Sequence, residues 1–495
     1  MDVRKILSLP IFLAAVGLIS CSGVPKTCTV NCGGSGTATL SVTMTAAPLT
    51  PPPNTNLLSF SVDVNTITLT PSSGTAVNIP LNSNAFNVDL TKLQSDSVFL
   101  GTSATVPAGS YTSMTVSISN PVVTFCTQTA GVAGCAAGSV MTIKGAAAAP
   151  VITSAPFPLT LTSTQQTGLA LNVNLNSTLT VSTSQAQVVT AVSLANALTV
   201  KSLPSTSSSL ATGELDFVED VTGTVTAVDT ATLSVTVKTA SRGSFTAIAN
   251  SSTVFSPNCN TLTSFTSSSC IVVGQVASLD MVLNANGTFT LLEYDPLTTS
   301  SGDWVEGIVT ATPSSSTQFS LVASDVVLAN SGSLISASLV GVPVEATLVS
   351  PHPFLIDSKG LTIPTSSFTG TDASVFLPGQ TLSLHVTAFT SASSTTPAGI
   401  SVDTVYLRFT RVSGTVATTG TQSAFNIASL PSFFGITTQP LVEITQGAPP
   451  TTPATNFDGV TSATALSNPQ TVSVRALYFG TATAMPFSAA KVRVP

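Results

Sequence analysis

Charge is what this chain has least of. Of its 495 residues only 7% are Asp, Glu, Lys or Arg, 14 basic against 21 acidic, for a net charge of −7. No basic cluster appears, which argues against nucleic-acid binding, since that needs Lys and Arg to neutralise phosphates. Histidine is scarcer still. Only His352 and His385 are present, and no Gly-x-Ser-x-Gly elbow accompanies either, so a Ser-His-Asp hydrolase has little to work with. One tryptophan, Trp304, and four tyrosines are few for the exposed rings on which sugar-binding β-domains stack their ligands. Trp304 stays a candidate ligand contact, with packing in a joint between domains as the favoured alternative because Trp is usually highly buried. No apolar run after Ile19 reaches the about 20 residues that a membrane-spanning helix needs.

What is present reads as strands. Mean hydropathy is +0.47, and it comes from Ala, Val and Leu dispersed among Ser and Thr. That alternation fits half-buried strands, and the 31 Pro and 32 Gly punctuate them into short segments. The fold class expected is all-β, built of sandwiches or barrels, with length for about three or four domains.

The N-terminus carries an address. Arg4 and Lys5 precede an apolar stretch from Ile6 to Ile19, too short to span a bilayer and laid out like a cleavable secretory signal. Leu18-Ile19-Ser20-Cys21 then resembles the lipobox of bacterial lipoproteins. The resemblance implies a diacylglycerol on the Cys21 sulfur, cleavage before it, and often acylation of the new amine. Two or three chains hold a protein durably where one binds reversibly. Ser22 rather than Asp follows, so by the same resemblance the inner-membrane retention signal is absent and the outer membrane is the expected destination. An ordinary secreted protein with an incidental Cys near its cleavage site is the alternative.

Six cysteines remain, in three local couples: Cys28 and Cys32, Cys126 and Cys135, Cys259 and Cys270. An even number in an exported chain suggests disulfides, although six cysteines allow 15 connectivities. A metal site is the other reading, and both His are far from all six in sequence. The densest carboxylates, Glu214, Asp216, Glu219 and Asp220, lack a Ca²⁺-loop pattern and read as a solvated junction between domains. No metal or cofactor is expected.

Six segments follow from these signals: a signal peptide (1–20), a Gly-rich flexible tether (21–36), a sandwich-like domain (37–203) and three barrel-like repeats (213–298, 303–411 and 412–495). In the first domain, strands are expected over Ala38–Thr45, Leu57–Val64, Thr66–Thr70, Phe86–Leu90, Ser110–Ile118, Leu169–Val173 and Ser177–Val181. The order Leu58-Ser59-Phe60-Ser61-Val62, Val88-Asp89-Leu90, then Pro107-Ala108-Gly109-Ser110-Tyr111-Thr112 resembles an uncharacterised β-sandwich domain of bacterial lipoproteins, with no established activity to carry over. The repeats each open on a glycine within a strand, at Gly223, Gly307 and Gly414. Each then carries a glutamine before an alternating strand, at Gln275, Gln380 and Gln470. This pattern resembles a second uncharacterised family of small β-barrels reminiscent of OB-folds. A strand glycine is expected where a closed barrel bends sharply.

The function expected is that of a non-enzymatic, membrane-anchored envelope lipoprotein acting by binding, adhesion or structural display. Its partners would be the membrane through the lipid and envelope proteins or glycans. A carbohydrate-binding or carbohydrate-processing surface lipoprotein is the alternative.

Overall fold

A computed structural model describes residues 36–50, 54–84, 86–129, 131–181, 189–203, 210–255, 271–298, 302–363, 368–447, 454–480 and 484–495. The signal peptide, Cys21, Cys28, Cys32, Cys259 and Cys270 lie outside the described residues.

The first unit is all-β. In chain order its strands are β1 (Thr37–Ala47), β2 (Thr55–Pro71), β3 (Val77–Ile79), β4 (Phe86–Asp89), β5 (Val98–Pro107) and β6 (Gly109–Thr127). There follow β7 (Met141–Lys144), β8 (Val151–Ile152), β9 (Leu159–Leu161), β10 (Gln166–Asn174), β11 (Leu179–Val181), β12 (Val189–Val192) and β13 (Leu198–Leu203). One sheet runs β13-β10-β1-β5 and a second β3-β2-β6-β7, with β4 on β2 and both β8 and β9 on β6. Alternating residues of both sheets, among them Leu40, Val42, Phe60, Val62, Val116 and Leu171, form one core.

Two expected short strands, Leu57–Val64 and Thr66–Thr70, are a single long one. The ladder of β2 with β6 slips register between Val64 and Thr66, leaving Asn65 and Thr66 exposed. That slip breaks the inward alternation without ending the strand, which is what a bulge does. In Ser177–Val181 only Leu179–Val181 is extended, because Leu175–Ser177 closes a 3-10 turn capped by the Asn174 side chain. The Pro107–Thr112 turn positions Tyr111 in the core at 1% exposure, and its hydroxyl donates to the Pro107 carbonyl at 2.7 Å. A ring packed inside and tied back to the chain just upstream pins the turn from β5 into β6, much as a tyrosine corner does.

Three closed five-stranded barrels follow in tandem. The first comprises β14 (Glu214–Asp229), β15 (Ser234–Lys238), β16 (Ser244–Ile248), β18 (Val276–Asn284) and β19 (Phe289–Pro296), with β17 (Val254–Phe255) beside β19. The second uses β20 (Asp303–Val309), β21 (Gln318–Val327), β22 (Pro343–Leu348), β24 (Thr381–Thr390) and β25 (Ala398–Arg408), with β23 (Phe354–Ile356) as the added strand. The third uses β26 (Thr410–Val416), β27 (Ala424–Ala428), β28 (Leu441–Ile444), β30 (Thr471–Tyr478) and β31 (Phe487–Arg493), with β29 (Asn456–Asp458) added. In every barrel the third strand closes the wall by pairing parallel with the last, as β16–β19, β22–β25 and β28–β31.

The repeated glycines and glutamines have physical roles. A Cβ on Gly223 would stand 2.3 Å from the Lys238 carbonyl oxygen, one on Gly307 2.6 Å from that of Val322, and one on Gly414 2.3 Å from that of Ala428. At each site the first strand bends so tightly over the second that no side chain fits. Each glutamine folds back to cap the turn before its strand. The Gln275, Gln380 and Gln470 side-chain oxygens accept from the backbone N–H of Val272 (2.5 Å), Leu377 (2.9 Å) and Ser467 (3.2 Å). In the third repeat Pro469 replaces the glycine, and the cap persists.

Candidate functional site

The scarce charge is gathered where the four units meet. Lys92, Arg242, Lys359, Arg408, Arg411, Arg475, Lys491 and Arg493, eight of the fourteen basic residues, form ion pairs there. Arg408, at 1% exposure, uses its whole guanidinium. It donates to Glu306 (3.2 Å) and Asp357 of its own barrel, then crosses to Asp220 (2.6 Å), Thr222 (3.2 Å) and Ser278 (3.2 Å) of the first. Arg411 of the third barrel reaches Asp96 of the first unit at 2.7 Å and Asp220 of the first barrel. Lys92 of the first unit donates to Glu306 of the second barrel at 2.6 Å. Arg475 clasps Asp280 at 2.7 and 3.3 Å, and Lys491 donates to Glu219 at 2.5 Å.

The acidic run at the junction is therefore not a solvated linker. Asp216, Glu219 and Asp220 are buried, and the cations that compensate Glu219 and Asp220 come from the second and third barrels. Asp216 is held by hydroxyls instead, accepting from Thr43 at 2.7 Å and Ser97 at 3.1 Å. A carboxylate removed from water costs several kcal/mol unless it is paired and hydrogen-bonded, so these contacts are what permits the burial.

The electrostatics divide the carboxylates in two. Burial opposes ionisation of Asp220 and Asp280, yet Arg408 and Arg411 around the first, and Arg475 and Lys359 around the second, hold both below the usual range. Burial wins at Glu219 and Asp295, pushing each up to about 7 despite Lys491 and Lys359. Glu293 is raised well above its ordinary value by burial and then by Asp295.

Aligning the barrels on their glycines and glutamines exposes a code. Three residues before the glycine stand Asp220, Trp304 and Arg411, and five after the glutamine stand Asp280, His385 and Arg475. The last strands pair Glu293, Thr404 and Lys491 opposite those three. The same positions are acidic in the first barrel, aromatic or hydroxyl-bearing in the second, and basic in the third.

Trp304 is 3% exposed and packs with Val276, Leu297 and Val327 in the joint between the first two barrels. Its ring lies 5.2 Å from that of His385, whose Nδ1 is 2.6 Å from Asp403. His352 sits apart, its Nε2 2.7 Å from the Thr371 carbonyl oxygen. The structure thus brings Trp304 and His385 together and leaves His352 in a loop. Cys126 and Cys135 form a disulfide. Among the described residues, no three His, Cys, Asp or Glu side chains come together to hold a metal ion.

The hub itself was not read from the sequence. A usable signal was there: five of the fourteen basic residues fall between Arg408 and Arg493, all on or beside strands. No curated protein and no solved structure shows a significant match to the chain. Residues 37–196, which take in β1 to β12 of the unit before the barrels, match the family described as a domain of unknown function, DUF4382.

Proposed function

We propose that this protein is an exported, lipid-anchored envelope protein whose four β-units form a stiff, non-enzymatic scaffold for binding, adhesion or display. The observation that supports this most directly is where the charge goes. Eight basic side chains and their carboxylates are spent on joining the units, and among the described basic residues only Lys144, Lys201 and Lys238 stand outside the hub. Most of the buried charged groups at the hub are locked in ion pairs, while many outward strand positions carry hydroxyl side chains, such as Thr180, Thr226 and Thr246. The anchor rests on Cys21 and its lipobox resemblance, with two or three acyl chains giving durable attachment. The glycan alternative has less support, since the indole of Trp304 is buried and offers no stacking face.

The test uses the full precursor expressed in a diderm bacterial host fed an alkyne fatty acid, followed by fractionation and protease shaving of intact cells. The expected result is label on the wild-type protein in the outer-membrane fraction and none on Cys21→Ser. Unlabelled wild-type protein in the soluble fraction would remove the anchor from the reading.

A further inference from the structure

Where the three barrels meet there is a cavity of about 70 Å³, several times the roughly 10–15 Å³ that one buried water needs. Asp280, Glu293, Lys359 and Arg475 line its polar part, Val254, Leu361 and Ala490 contribute an apolar wall, and exposed Ser252 and half-buried Asn456 lie at its rim. Its polar groups are incompletely satisfied. Arg475 is fully buried, both of its terminal nitrogens go to Asp280, and its Nε–H has no partner. Glu293 Oε1 is likewise buried without a partner. Lys359, 2% exposed, donates to Asp295 at 3.0 Å and lies 3.4 Å from Asp280, so two of its three donors are directed at carboxylates.

Buried polar groups are almost always hydrogen-bonded, to protein, water or ligand. The character of the lining decides which occupant fits. Asp280 already receives Arg475, Lys359 and the backbone N–H of Asp220 at 2.8 Å, so its acceptor capacity is used. What remains open is the Arg475 Nε–H, one donor of Lys359 and the Glu293 carboxyl, beside an apolar wall. We propose that this cavity binds a small monocarboxylate of about four to six non-hydrogen atoms, its oxygens received by Arg475 Nε and Lys359 Nζ and its alkyl end laid against Val254, Leu361 and Ala490. Glu293 supplies the third donor. Burial, then Asp295, with Asp280 and Asp357 behind it, raises its carboxyl well above the ordinary value against the pull of Lys359, which favours the protonated form. The site is independent of the lipid anchor.

The test is titration of the mature chain with ¹³C-labelled acetate and propionate by NMR, with chloride and fluoride at matched ionic strength as controls. Saturable carboxylate binding at one site is expected, weakening as pH rises and Glu293 loses its proton. Glu293→Gln keeps a donor and should bind with that pH dependence removed. Glu293→Leu should weaken binding at least tenfold. Ala454 also lines the cavity, and Ala454→Leu, which obstructs it without touching a donor, should do the same and covers the case in which the first variant unfolds. No saturable binding, equal binding of chloride, or binding indifferent to both leucine variants would overturn the proposal.

Discussion

The first and third barrels share one backbone plan and carry opposite charge at matching positions. Asp220, Asp280 and Glu293 in the first stand where Arg411, Arg475 and Lys491 stand in the third. The shared plan is set by features that carry no charge, namely a glycine that lets one strand lie on the next and a glutamine that caps a turn. Because the fold does not depend on the charged positions, they are free to specify which barrel meets which. The second barrel, with Trp304 and His385 there, is joined to the first partly by apolar packing. One architecture is thus repeated three times, and a few side chains per copy decide the assembly.

The largest blow to this pairing should come from Arg408, which serves Glu306, Asp357 and Asp220 at once. Arg408→Met leaves buried Asp357 without its cation, while Glu306 keeps Lys92 and Asp220 keeps Arg411, and should cost about 3–5 kcal/mol in urea unfolding. A loss under about 1 kcal/mol would mean that the guanidinium is dispensable. A narrower test is the double-mutant cycle of Glu219→Gln and Lys491→Met, which joins the first and third barrels through one fully buried pair. The coupling expected is about 2–3 kcal/mol, and additivity within about 0.5 kcal/mol would refute the code.

A third test is pH. Groups with raised folded-state values, Glu219 and Asp295 at about 7 and Glu293 well above its ordinary range, hold protons that the unfolded chain releases at about 4. Their contribution is complete below that pH and fades as pH climbs through about 7. Asp220 and Asp280 are depressed, so theirs is present above about 4 and lost in acid. Thermal melts should therefore peak between about pH 4 and 6 and fall by pH 9, with Glu219→Gln flattening the alkaline limb. A melting temperature still rising at pH 9 would contradict this. The smallest effect should be Trp304→Phe, at most about 1 kcal/mol, because the indole Nε1 has no hydrogen-bond partner to lose. A calorimetric loss above about 2 kcal/mol would show that the joint depends on the indole itself.

The fold was largely legible because its signals are local. Alternation marked most strands, and Gly223, Gly307 and Gly414 marked the three barrels. The misreading of β2 as two strands has a local cause as well, since a register slip at Asn65 looks in sequence like a turn. The ionic hub was illegible for the opposite reason. Lys92 meets Glu306 across 214 positions, Lys491 meets Glu219 across 272, and Arg411 meets Asp96 across 315. Nothing near Glu219 announces Lys491, so an acidic run beside a linker reads as solvated until the third barrel is in place.

Turning the charges inward has a consequence for the outside. Counterions act on exposed charge within about 8–10 Å at ordinary ionic strength, and this molecule shows them few fixed charges, with its strongest ion pairs sealed from the solution. Its cohesion should therefore hardly differ between dilute medium and brine.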